Sequence, residues 1–76
     1  MAGRSNEEVS QILRYVSKAK TGDQSKDLAS GVFRAVIEQA LLAGTSKEEA
    51  YELALNEARK VDPSFQPELL EGFWEA

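Results

Sequence analysis

"ALLAGTSKEEAYELA", residues 40–54, brings the end of one helix and the start of the next within a few residues of each other. Gly44 can take the left-handed conformation that stops an α-helix. The residues after it offer two capping-box spacings, Thr45 to Glu48 and Ser46 to Glu49, in which a side-chain oxygen and a glutamate satisfy the unpaired amides of a new helix. So short a link predicts a tight helical hairpin, antiparallel or steeply crossed.

Upstream, the helix that Gly44 ends is expected over residues 24–43, opened by Asp23 or Ser25. Leu28, Val32, Phe33, Val36, Ile37, Ala40 and Leu41 give it a wide apolar stripe, and between Ala29 and Ala43 only Arg34, Glu38 and Gln39 are strongly polar. Such a helix needs cover on more than one side, which makes it the central element. Gly31 inside it costs ~1 kcal/mol against alanine, so a packing or bending reason is expected there.

Downstream, the helix over residues 46–61 sets Ala50, Ala54 and Ala58 at the centre of an apolar arc, with Tyr51, Leu53 and Leu55 at its margins. Glu48, Glu49, Glu52, Asn56, Arg59 and Lys60 take the opposite face. Alanine every fourth residue supplies helix propensity and permits close packing.

Two further segments complete the reading. "SNEE" at residues 5–8 is another capping box, and Val9, Ile12, Leu13 and Val16 follow at helical spacing, which predicts a one-sided helix over residues 5–20. "VDPSFQP", residues 61–67, breaks the pattern, because proline disfavours helix before it and offers no amide. A short last helix is then expected over residues 67–75, with Leu69 and Phe73 one turn apart, Leu70 and Trp74 likewise, and Glu68, Glu71 and Glu75 outward. The fold class is all-α: a single helical domain over residues 1–76, built as a small bundle of three main helices plus a short C-terminal helix.

Composition narrows the function. At 8.4 kDa, with 42% hydrophobic and 29% charged residues, the chain has the balance of a small globular domain and is too apolar for wholesale disorder. Without histidine or cysteine it lacks an imidazole base, a thiolate and the usual zinc ligands, and its glycines are scattered singly and build no phosphate loop. No catalysis, metal or cofactor is expected. The longest apolar run, about five residues from Ala40 to Gly44, falls far short of a membrane span, and the first residues lack the apolar core of a secretory signal. A cytoplasmic protein away from membranes is expected.

The charge is uneven. Residues 1–38 hold six Lys/Arg and five Asp/Glu, whereas residues 39–76 hold three and eight. In length and acidity the chain is similar to acyl carrier proteins, but "KDLASG" at residues 26–31 lacks the Asp-Ser-Leu motif that carries their prosthetic arm. The stretch at residues 40–54 also resembles a helix-turn-helix, which implies DNA reading by the start of the following helix. There Lys47, Glu48, Glu49 and Glu52 form a net negative set facing a polyanion. Nucleic acid is thus the lesser alternative, and a self-assembling structural subunit the other. The leading expectation is a protein–protein interaction or regulatory module, such as an adaptor, inhibitor or antitoxin-like protein. Leu69, Leu70, Phe73 and Trp74 are expected to be mostly buried, against this chain or a second copy, because four large apolar side chains are too much surface to leave wet. The competing expectation is a partner surface drawn from Leu69, Leu70, Phe73, Trp74, Glu48, Glu49 and Glu52. A homodimer is expected as the way to cover the wide stripe of the central helix.

Overall fold

The computed structural model of the protein describes residues 3–16 and 22–75, and among them three helices form: α1 (Asn6–Leu13), α2 (Gln24–Leu42) and α3 (Lys47–Val61). The all-α class holds. Among the described residues no helix is long and apolar enough to cross a membrane.

The hairpin link closes as its residues require. The Thr45 amide donates to the Ala40 carbonyl (2.9 Å) and the Gly44 amide to that of Leu41 (3.0 Å), with Gly44 at φ +91°. This pair of bonds is a Schellman motif, which satisfies carbonyls that the end of α2 would leave unpaired. Ser46 then caps α3, its hydroxyl accepting from the Glu49 amide at 3.2 Å. Asp23 caps α2 by accepting from the amides of Ser25 and Lys26, so Ser25 lies inside the helix.

Packing follows the spacing of the sequence. Ala29, Phe33, Ile37 and Leu41 on α2, four residues apart, are buried against an α3 face of Ala50, Ala54 and Ala58, all three fully enclosed. The small alanine side chains let the two helices approach closely. α2 makes its largest contact with α3 and a smaller one with α1, which adds Val9, Ile12 and Leu13 to the core. Of the large apolar side chains of α2 only Leu28 stays exposed, so most of the stripe is covered within one chain.

Three expectations are corrected. The first helix is shorter than the predicted 5–20: after Leu13 the amides of Tyr15 and Val16 bond to carbonyls three residues back, which tightens and ends the helix. The Arg34 guanidinium on α2 closes that end, donating from Nη1 to the carbonyls of Leu13 (3.0 Å) and Val16 (3.1 Å). Residues 17–20 of the predicted helix lie outside the described residues. Gly31 has no close neighbour, because a Cβ there would meet nothing within 4 Å.

The largest correction concerns residues 67–75, which form no helix. They run as an extended strap that ends in turns, with an isolated antiparallel bridge between Leu69 and Val16 and a bond from the Leu70 amide to the Tyr15 carbonyl (2.6 Å). Val16 faces inward in this extended pairing just as it would on a helix, which is why its spacing misleads. The chain leaves α3 for the strap through an Asx turn, in which Asp62 Oδ1 accepts from the Ser64 amide and hydroxyl. Phe65 then enters the core against Phe33, and Arg59 Nε holds the Phe65 carbonyl at 3.2 Å.

Candidate functional site

The strap divides the residues that the sequence grouped together. Leu69, bridged to Val16, and Phe73 turn inward while Leu70 and Trp74 turn out, and between the two pairs Gly72 lies at φ +104°, a conformation no helix contains. Phe73 is 1% exposed and belongs to the core; Leu69 is half-buried beside Val16. Trp74 is 51% exposed and Leu70 52%, which corrects the expectation that all four apolar side chains are buried: the helix that would have placed them on one side does not form, and two of them are left half in water within one short segment.

Trp74 is exposed but supported. Its ring stands edge-on to Phe73 (centroids 4.8 Å apart) and to Tyr51 of α3 (5.5 Å), and Tyr51 in turn packs edge-on against Phe33 (5.8 Å). These edge-to-face contacts connect the outward indole to the most buried ring of α2. The backbone beneath it is tied to α3, because the Lys47 ammonium donates to the carbonyls of Phe73 (3.1 Å) and Trp74 (3.4 Å). A second tie holds the surroundings: Arg4 Nη1 donates to the Thr45 carbonyl (2.6 Å), so the start of the described chain lies against the α2–α3 link.

The acidic candidates are placed partly with this surface. Glu48 shares a shallow depression with Arg4, Ser46, Lys47 and Trp74. Glu49 and Glu52 are exposed on the same helix. Among the described residues no three acidic side chains converge as a metal ion would require. Glutamates in the first turn of a helix also complement its dipole, which accounts for Glu48 and Glu49 on structural grounds.

Sequence reasoning missed the roles of Tyr51 and Lys47. Tyr51 was read as the margin of an apolar arc and Lys47 as one charge in a solvated set; together they form the seat of Trp74. A local signal for this was absent, because both contacts cross more than twenty residues of chain.

A cleft of about 430 Å³, lined by Val16, Phe33, Phe65 and Asp62 among others, lies between α2 and the start of the strap. Asp62 Oδ2 is buried and has no hydrogen-bond partner. The apolar floor of Phe33 and Val16 is almost wholly covered.

No protein-family model matches the chain, and comparison with curated proteins and solved structures found no match.

Proposed function

We propose that this protein is a non-catalytic protein–protein interaction module, of the adaptor or inhibitor kind, and that a partner docks on Trp74 and Leu70. The observation that carries the reading is the half-exposed Trp74 ring held on Tyr51 and Phe73, with its backbone fixed by Lys47. Tryptophan is the residue type that most often dominates binding energy, and a ring that is already immobilised loses little entropy when it is covered.

Nucleic-acid binding through the hairpin is less well supported. A helix-turn-helix would insert the start of α3 into a groove, yet the strap lies on Lys47 and Tyr51 there, and Glu48, Glu49 and Glu52 face outward. Failure to retain random duplex at low salt is the expected result.

The test is capture from native extract by the wild-type chain and by a Trp74→Ala/Leu70→Ala variant. Proteins retained by the first should be lost by the second, while the variant keeps its helical spectrum and melts within about 10 °C of the wild type. Unchanged capture by a folded variant overturns the reading. Sedimentation equilibrium that returns twice 8.4 kDa for the wild type and 8.4 kDa for the variant assigns the surface to a second copy instead.

A further inference from the structure

Trp74 stands at one end of a trough. Its depression, which holds Arg4, Ser46, Lys47 and Glu48, meets a second one at Arg4 and Lys47, and the second runs along α1 past Arg14 to Tyr15. Among the described residues the two depressions are lined by three cations, Arg4, Arg14 and Lys47, and by two carboxylates, Glu8 and Glu48. That is an excess of one positive charge on a chain whose net charge is −4. Glu71 and Glu75 of the strap line neither depression. Hydrogen bonds from Arg4 to the Thr45 carbonyl and from Lys47 to those of Phe73 and Trp74 leave both charges in place and fix where they stand. Glu8 keeps its charge too, but its carboxylate is drawn back on the Ser5 amide and hydroxyl in the cap of α1.

We infer that the occupant of this trough is an acidic segment of another protein, with an apolar side chain on Trp74 and Asp or Glu carboxylates on the guanidinium groups of Arg4 and Arg14. The inference rests on the reading of Trp74 as the docking anchor. Charge complementarity selects this occupant. A basic segment would meet the excess of positive charge, and a second copy docking by the same face in two-fold symmetry would set the cations against their equals. Nucleic acid and anionic lipid match the cations locally, but both carry a dense array of negative charge, which Glu8, Glu48 and the net charge of the whole chain oppose. A peptide places a few carboxylates singly, between the acids of the trough. Arg4 uses Nη1 on the Thr45 carbonyl, and a guanidinium has five N–H donors, so the same group still takes a carboxylate.

The experiment titrates the full chain with a synthetic peptide of leucine and glutamate and with its leucine and lysine counterpart, following emission from Trp74, the only tryptophan. Single-stranded oligothymidylate and phosphatidylserine vesicles are titrated beside them. The Leu/Glu peptide should bind with a blue shift, and the other three should not. Two exposed residues of the trough should then move the affinity in opposite directions: Arg14→Glu weakens binding about fivefold, and Glu48→Gln strengthens it about twofold. Arg14→Gln, which removes the charge without reversing it, should weaken binding by less. Equal binding of both peptides, binding of neither, or indifference to Arg14→Glu in a variant with the wild-type helical spectrum overturns the inference; oligothymidylate or vesicles that bind as tightly as the Leu/Glu peptide overturn it in favour of another polyanion. If extract capture is still lost in the Trp74→Ala/Leu70→Ala variant in those cases, the docking surface stands and only the nature of its occupant is wrong; if capture is indifferent to that variant, the docking reading itself fails.

Discussion

The ammonium of Lys47, the first residue of α3, donates to the carbonyl of Phe73 across 3.1 Å, and so joins the opening of one helix to a strap 26 residues further along the chain. The Trp74 carbonyl accepts from the same nitrogen at 3.4 Å. A charged donor on two carbonyls that few other groups reach should hold the end of the strap in place. Replacing Lys47 with methionine keeps the stem and removes the donor. The expected cost is about 1.5 kcal/mol, the low end for charged hydrogen bonds because the site is partly open to water. Acrylamide should then quench Trp74 more strongly. Unaltered quenching would mean that Tyr51 and Phe73 alone fix the ring.

Phe73 and Trp74 are neighbours with opposite surroundings, 1% and 51% exposed. Phe73→Ala opens a cavity in the core and should cost about 3–5 kcal/mol, as much as the whole stability of so small a domain. Trp74→Ala loses two edge contacts and half-wet surface, about 1 kcal/mol. Urea unfolding followed by far-ultraviolet circular dichroism should therefore find the first variant largely unfolded without denaturant and the second folded. Similar midpoints for the two would contradict the inward and outward placement of the rings.

The three helices were legible because their signals are local. Ser5 with Glu8, Asp23, and Ser46 each sit within three residues of the amides they satisfy, and the Phe33, Ile37, Leu41 and Ala50, Ala54, Ala58 series repeat within one element. The strap was not legible. Leu69, Leu70, Phe73 and Trp74 have helical spacing, but the path of the strap is set by bonds to Tyr15 and Lys47, both far away in sequence. Gly72 was the one local hint, since a glycine amid that spacing admits a turn. Two of the four apolar candidates fell with the helix: Leu70 and Trp74 are presented, whereas Phe73 serves the core and Leu69 the bridge to Val16.

Arg34 gives a prediction about how α1 is held. Its guanidinium reaches from α2 to the carbonyls of Leu13 and Val16, where α1 ends and the pairing with Leu69 begins. Arg34→Leu leaves those carbonyls without their charged donor and should cost about 1.5–3 kcal/mol. Hydrogen exchange should locate the loss, with faster exchange at the amides of Tyr15, Val16 and Leu70 than in α3. A uniform change across the chain would instead reflect global destabilisation without a local role for Arg34.

Two glycines should respond in opposite directions to the same substitution. Gly31 lies within α2, exposed, and a Cβ built there meets nothing within 4 Å, so Gly31→Ala adds no clash and removes the backbone entropy that glycine brings to the unfolded chain. It should stabilise by about 0.5–1 kcal/mol. Gly72 sits at φ +104°, where side chains are strained, and its Cβ would stand 3.0 Å from Cε1 of Tyr15. Gly72→Ala must either displace the Tyr15 ring or unbend the turn that sets Phe73 inward and Trp74 outward. A cost of about 1–3 kcal/mol is expected, with Trp74 emission altered as the turn shifts. Chemical denaturation of the two variants beside the wild type checks both signs at once. A lowered midpoint for Gly31→Ala would mean that α2 does require a glycine there, and a neutral Gly72→Ala would remove the turn on which the separation of Phe73 from Trp74 depends.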